Sequence, residues 1–233
     1  QIGELFDLPM LNQTVKTIPS DIDVLLVVQP TELTPEATYA IDQFALAGGR
    51  SLVLVDPVSE VSQFTNVRAD KKGLEEIAKV LEAWGVEFDR KAVAADIAHA
   101  RRVRFGQGGE TVTAYVGWLG LDAASMAKED VLAAGVETLN FPSAGILKPK
   151  KDAKTSITPI VSTSPQAMQI GITDVGVRAD PAKLLQNYKP GGTPFMLMAG
   201  VSGEAKSAFP DGPPKDGAAS KPAEASEPAK DEK

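Results

Sequence analysis

The side chains that most often perform chemistry in proteins are scarce in this sequence. His99 is the only histidine and there is no cysteine, which excludes thiolate chemistry, disulfides and histidine-rich metal sites. A serine hydrolase triad would have to use His99, and no Gly-x-Ser-x-Gly motif presents a nucleophilic serine. A lone histidine in a polar connection is usually a surface residue. We therefore expect no catalytic residues, no metal site and no cofactor.

Carboxylates are the remaining candidates, and Asp56 is the best placed of them. It follows an apolar run, 51–55, that is typical of a buried strand, and open α/β sheets bind ligands at the carboxyl ends of their strands. Gln29 and Thr31 follow a second such run, 24–28, so these three residues are placed to line one ligand-binding crevice. The alternative, which we favour, is that all three are turn residues and that Asp56 accepts nearby backbone N–H groups.

The other features that could bind a ligand are less specific. The paired glycines do not have the spacing of phosphate-binding loops. Lys plus Arg is 24 against 31 for Asp plus Glu, a net charge of −7, and no basic run follows a helix face, so we expect no nucleic-acid partner. Trp84 and Trp118 could stack on a sugar, but indoles in such positions are more often core residues, and we assign them to the core.

Residues 1–97 have the alternation of an α/β unit. Apolar runs typical of buried parallel strands alternate with segments of helical periodicity. Thr34-Pro35 marks a helix start, and Gly48-Gly49 and Gly85 mark helix ends. The first strand, helix and strand predict a parallel pair with a right-handed crossover. The predicted elements are a strand at 24–28, a helix from 35, a strand at 51–55, a helix at about 74–84, and short strands near 86–88 and 92–94.

Residues 98–207 have a different, mixed and β-rich pattern. Two strand candidates, 102–105 and 111–116, flank a glycine-rich turn at 106–109 and predict a hairpin. We expect this portion to pack on the first unit or to complete the same sheet. Its other predicted elements are strands at 157–161, 168–172 and 195–199 and a short helix near 181–186.

The last residues, 208–233, have the composition of a linker. Five of the seventeen prolines lie between 210 and 233, among Ala, Lys, Asp, Glu and Ser. Such a segment buries too little apolar surface to offset its ordering entropy, so we predict a disordered linker. The chain starts at Gln1 and ends in this linker, so we interpret it as a segment of a longer protein whose signal or anchor lies outside it.

Six stretches of the sequence have a recognisable pattern, and the block 206–210 is less generic than the rest. They are 18–33, 39–44, 48–57, 115–119, 162–165 and 203–210. Together they resemble the auxiliary component of gliding-motility-type ABC transport systems, a family of bacterial inner-membrane proteins with a large extracytoplasmic region. The resemblance implies an α/β fold, a flavodoxin-like or class I glutamine amidotransferase-like three-layer sandwich with an additional mixed β-rich portion. The cysteine nucleophile of true amidotransferases is absent, which argues against their chemistry.

The resemblance also implies a function and a place. It predicts a non-catalytic binding or scaffolding module, the periplasmic domain of a protein anchored in the inner membrane. Its partners would be the membrane and ATPase-associated subunits of an ABC transporter. Two alternatives stay open, a carboxylate-dependent hydrolase with its site near Asp56 and a module that binds a glycan or other small molecule. With 6% aromatic residues, the glycan-binding alternative is the weaker of the two.

Overall fold

A computed structural model describes residues 2–61, 71–106, 109–176 and 178–214. These ranges contain ten strands and three α-helices, with single turns of 3-10 helix between them. The strands are β1 (Val24–Val28), β2 (Arg50–Leu54), β3 (Val86–Asp96), β4 (Ala100–Phe105), β5 (Thr111–Asp122), β6 (Thr138–Pro142), β7 (Gly145–Pro149), β8 (Ser156–Ser162), β9 (Ala167–Gly171) and β10 (Met196–Ser202). The helices are α1 (Pro35–Leu46), α2 (Lys71–Ala83) and α3 (Pro181–Gln186).

The first strand-helix-strand unit forms as predicted. β1 and β2 pair in parallel, from Val24 beside Arg50 to Val28 beside Leu54. Thr34 caps α1, since its Oγ1 accepts the N–H of Ala37 at 3.2 Å. The predicted parallel pairing and the predicted helix start are therefore confirmed.

The predicted flavodoxin-like or class I glutamine amidotransferase-like three-layer sandwich is wrong. β1 and β2 form a separate two-stranded sheet. The other strands of the described ranges form curled antiparallel sheets, one in the order β8-β10-β7-β3-β9 and one in the order β4-β5-β6. The fold is mostly β-structure because β3 pairs with strands that follow it in the chain and does not extend the parallel pair.

One long strand, β3, replaces the two short strands predicted near 86–88 and 92–94. Its pairing with β7 changes register between Phe88 and Val93. At this irregularity the Asp89 carboxylate accepts the N–H of Lys91 at 2.9 Å. The first half of β3 pairs with β7 and the second half with β9. Main-chain hydrogen bonds thus connect the region before residue 97 with the region after it.

The predicted hairpin at 102–116 is present as β4 and β5, which pair antiparallel. The predicted short helix corresponds to α3, and the three later strand predictions correspond to β8, β9 and β10. Strands β6 and β7 were not predicted. None of the helices in the described ranges is long and apolar enough to cross a membrane.

Two residues near the start of the predicted linker, Ser207 just before it and Phe209 within it, are attached to α1. The Ser207 hydroxyl donates to the buried Asp42 carboxylate at 2.7 Å, and Trp84 Nε1 donates to the same carboxylate at 3.0 Å. Phe209 meets the Tyr39 ring edge-on, with 5.3 Å between centroids. Of the predicted linker, residues 215–233 lie outside the described residues.

The start of α2 lies against the end of β1, and this contact depends on Gly73. The Gly73 N–H donates to the Thr31 carbonyl at 3.1 Å, and a Cβ at Gly73 would lie 2.3 Å from the Pro30 carbonyl oxygen. Alanine is the better helix former by about 1 kcal/mol. We nevertheless expect Gly73→Ala to lower the free energy of unfolding by about 1–3 kcal/mol in urea denaturation, because backbone atoms must move apart.

The control for Gly73→Ala is Glu75→Ala, an exposed position on the same helix. We expect that variant to change stability by less than about 0.5 kcal/mol. If the Gly73→Ala variant were as stable as the wild type, α2 would be able to move away from β1 without loss of stability, and the prediction would be wrong.

Candidate functional site

Gln29 and Asp56, two of the three predicted site residues, are in contact. Gln29 Nε2 donates to the carbonyl oxygen of Asp56 at 3.1 Å, and the N–H of Asp56 donates to Gln29 Oε1 at 2.8 Å. The Gln29 backbone has φ of 37°, a left-handed conformation that costs a residue other than glycine free energy. The Gln29 side chain thus holds the ends of β1 and β2 together. It binds the backbone of Asp56, so the carboxyl group of Asp56 takes no part in this contact.

Thr31, the third predicted residue, is bonded elsewhere. Its hydroxyl accepts a hydrogen bond from Gln13 Nε2 at 3.3 Å, and its N–H donates to Gln13 Oε1 at 2.9 Å. Gln13 therefore fastens the turn after β1 to the segment that precedes the strand. The structure brings Gln29 and Asp56 together and gives Thr31 a separate polar partner; ligand binding by the three stays a prediction.

A second carboxyl group, Glu60, lies close to Asp56. Its Oε1 accepts Trp118 Nε1 at 2.8 Å and the Ser143 hydroxyl at 2.5 Å. Its other oxygen, Oε2, is buried without a hydrogen-bond partner among the described residues, and the residue is only 7% exposed. A buried polar atom without a partner costs stability, so this arrangement is not optimised for stability alone.

Ser143 holds Glu60 from a strained position between β6 and β7. Its φ is 51°, which costs a non-glycine residue about 1–3 kcal/mol. The residue is fully buried, and its N–H donates to the Gly117 carbonyl at 2.8 Å. Strain held in place by such contacts is typical of functional sites.

Asp56 has an altered acidity in this environment. Burial, with a contribution from the nearby charge of Glu60, raises the pKa of Asp56 to about 6, against an opposing effect of the Gly145 N–H. Burial likewise raises the pKa of the neighbouring Tyr115 to about 12. A carboxyl group with this acidity can hold or release a proton near neutral pH, which is a common property of functional sites.

His99 belongs to a different polar cluster, at the end of β3. Its Nδ1 lies 2.8 Å from Asp96 Oδ2, and its Nε2 lies 3.1 Å from the hydroxyl oxygen of Ser125. Asp96 is fully buried, whereas the His99 side chain is 18% exposed. His99 is therefore a partly buried residue with two polar neighbours, and the expectation that it is a simple surface residue is wrong.

The Asp96 carboxylate also ties two loops together. It accepts the N–H of Ala98 at 3.0 Å, the N–H of Ser164 at 2.7 Å and the hydroxyl of Ser164 at 2.7 Å. Burial alone would raise the pKa of Asp96, but the hydrogen bonds from His99, Ser164 and Ala98 outweigh it and lower the pKa. The carboxylate is therefore ionised at neutral pH and fixed in orientation.

The outer face of the β1–β2 sheet is apolar and uncovered. Along β1, Val24, Leu26 and Val28 are 54%, 49% and 58% exposed, while Leu25 and Val27 between them are 7% exposed and belong to the core. Because paired residues share a face, Leu52 and Leu54 of β2 continue the same surface. We call these five outward residues of β1 and β2 the apolar strip.

Two grooves lie away from these residues. One, of about 290 Å³, is lined by residues of α2, β3 and β7 with charges of both signs. The other, of about 520 Å³, is lined by Asp122, Ala123, Ala124, Lys128 and residues 133–137. In the part of the chain that the structure describes, no three metal-ligating side chains gather in one place.

Sequence reasoning missed most of the residues in these clusters. Asp96 had a usable signal, since an aspartate at a strand end often accepts the N–H two residues later. Glu60, Ser125, Ser143 and Ser164 had none, because their partners are distant in the chain and belong in part to strands that were not predicted.

Replacing Asp56 tests its altered acidity. Folded Asp56 keeps its proton up to about pH 6, whereas the ordinary value is 3.8, so stability falls as pH rises through this window. We expect Asp56→Asn to raise the free energy of unfolding at pH 7.5 by about 1–2 kcal/mol and to change it little at pH 4, measured by urea denaturation. Asp23→Asn, at an exposed position, should have no such effect; a uniform loss of stability in Asp56→Asn would contradict the assignment.

Replacing Asp96 should have the opposite pH dependence. The pKa of Asp96 is lower in the folded protein than in the unfolded chain. The ionised carboxylate therefore stabilises the fold above the ordinary pKa of an aspartate, and this stabilisation is lost as the pH falls through the pKa of the folded state. We expect Asp96→Asn to lower the free energy of unfolding at pH 7 by about 2 kcal/mol and by much less at pH 3. The exposed Asp211→Asn is the control, and a deficit that does not depend on pH would exclude the ionised carboxylate as the cause.

Comparison with known families assigns the chain. A family model described as ABC-type uncharacterized transport system, of the auxiliary-component type, matches residues 1–232. Comparisons with curated proteins and with solved structures give no match. The family match covers almost the whole chain and confirms the resemblance at the level of ABC-type transport. The chain therefore belongs to the ABC-type uncharacterized transport system family, as an auxiliary component of such a system.

Proposed function

We propose that this chain acts in its transport system by binding a partner and not by transforming a substrate. The observation that carries the proposal is the apolar strip, in which Val24, Leu26, Val28 and Leu54 are each about half exposed. Parallel strands normally have both faces covered, because the crossover connections place helices on them. Among the described residues, α1 and α2 pack on the inner face and the outer face is left exposed, so the outer face is suited to a protein partner.

The size of the strip favours one helix as the occupant. A stable interface buries about 800 Å² on each partner, more than five partly exposed side chains supply, so two copies of this face would not hold together alone. One α-helix is about 10 Å across, which matches the width of two strands. We propose the apolar side of a helix from the membrane subunit of the ABC transporter.

The rest of the surface is compatible with this proposal. Leu5, Phe6, Leu8 and Met10 are also exposed, between 50% and 93%, and offer further apolar contacts. The net charge of −7 disfavours docking on anionic lipid headgroups. We further propose a gliding-motility-type system and a periplasmic position beside an inner-membrane anchor, on the basis of the stretches that resemble that family.

A charge placed in the strip tests the proposal. We expect Leu26→Asp in the full-length protein to reduce co-purification of the transporter's membrane and ATPase subunits from membranes by about tenfold or more, since a buried unpaired carboxylate opposes docking. Val112→Asp, at a 45% exposed position on β5, is the matched control and should retain both subunits. Quantitative mass spectrometry of the captured proteins gives the measurement.

Two outcomes would contradict the partner-binding proposal. Leu26→Asp could retain the subunits at wild-type levels while remaining folded by circular dichroism. Alternatively, the wild-type protein could be recovered reproducibly alone.

A second candidate function is favoured by the Asp56–Glu60 pair. Two neighbouring carboxyl groups, one with its pKa raised to about 6, are the groups that acid-base hydrolysis of glycosides uses. This is the carboxylate-dependent hydrolase anticipated near Asp56. Turnover of a glycoside or related substrate that is abolished by Asp56→Asn and unchanged by Asp23→Asn would favour it over the binding role.

A further inference from the structure

Three side chains at the ends of β3 and β5 have the order and spacing of a serine hydrolase relay. The Ser125 hydroxyl lies 3.1 Å from His99 Nε2, and His99 Nδ1 lies 2.8 Å from Asp96 Oδ2. Because the ionised Asp96 accepts the proton of Nδ1, Nε2 is the nitrogen that can accept the proton of Ser125. This is the hydrogen-bonding order in which histidine activates a serine.

The surroundings of Asp96 meet the requirement for an orienting carboxylate. Both of its oxygens are engaged, by Ala98, His99 and Ser164, and the residue is fully buried. The loop-tying role explains the bonds to Ala98 and Ser164. That role does not require the contact between His99 and Ser125. The histidine that makes this contact is partly exposed, whereas Asp96 behind it is buried.

A groove of about 520 Å³ lies beside the turn that carries Ser125, although Ser125 and His99 are not among the residues that line it. Ala123 and Ala124, the two residues before the serine, line it, and Ala133, Ala134 and Val136 give it further apolar surface. Asp122 caps the single 3-10 turn that carries Ser125, by accepting the N–H of Ala124 at 3.0 Å. An ester whose acyl chain entered this groove would lie beside the turn that carries the serine.

We propose that Ser125 is a nucleophile, activated by His99 and oriented by Asp96, toward esters of short uncharged acyl chains. The Ser125 oxygen bonds to the ester carbonyl carbon while its proton passes to His99 Nε2. The bond to the leaving alcohol then breaks, and the alcohol takes that proton. Water, deprotonated by His99 in the same way, releases the carboxylic acid and restores the serine. This activity goes beyond partner binding, which does not depend on it, and it replaces the expectation of no catalytic residue.

A fluorophosphonate probe and p-nitrophenyl acetate test the proposal on the whole chain. We expect stoichiometric labelling of Ser125, located by peptide mass spectrometry, and ester hydrolysis above the buffer rate. Ser125→Ala should remove both, and His99→Gln should lower the rates of labelling and hydrolysis by roughly 100-fold or more, the usual contribution of a general base.

Ser207→Ala is the matched control, because Ser207 also donates to a buried carboxylate but has no histidine beside it. It should react like the wild type. Thermal unfolding of each variant shows whether the fold persists. Absence of label on Ser125, or labelling at equal rate in folded His99→Gln, would overturn the proposal. Labelling spread over many surface residues would do the same.

Discussion

The change of register within β3 is the constraint on which the arrangement of the other elements depends. From Phe88 to Val93 the strand advances five residues, while its partner β7 passes from Leu147 to Gly145, two residues. The surplus residues form an irregularity that bends β3, and beyond it Val93 pairs with both Gly145 of β7 and Ile170 of β9. β3 thus runs from the core that it shares with α1 and α2 to the polar cluster around Asp96.

The buried carboxyl groups differ in how completely they are paired. Asp42 accepts hydrogen bonds from Trp84, Gln43 and Ser207, and Asp96 accepts several from its loops. Such satisfied carboxylates stabilise a fold by fixing loops and helices in place. Glu60 has one oxygen without a hydrogen-bond partner among the described residues, and the pKa of Asp56 beside it is raised to about 6. Because Asp56 and Glu60 lower the stability of the fold, a role in function explains this pair of carboxyl groups better than a role in folding.

Local signals in the sequence predicted local structure well and long-range pairing poorly. Thr34-Pro35 and the run 24–28 each specify their own element, and the strands that flank the glycine-rich segment 106–109 pair as expected. β7 was missed because Gly145 and Pro149 bound a five-residue strand, which is the composition of a loop. The proximity of Gln29 and Asp56 could be predicted because β1 and β2 are parallel and end side by side. The contact of Ser125 with His99 depends on the pairing of β4 with β5, which no local pattern specifies in register.

The apolar strip is what remains when a parallel pair is left without the layer that usually covers its second face. Two strands alone are marginally stable, and the helices on the inner face supply most of the burial that holds β1 and β2. A contiguous exposed apolar patch often marks a site of protein–protein contact. Along this face the described charge is Arg50, at one end, and the following positions are leucine or valine. The strip is thus a continuous apolar surface, which is the property that the proposed contact with a partner requires.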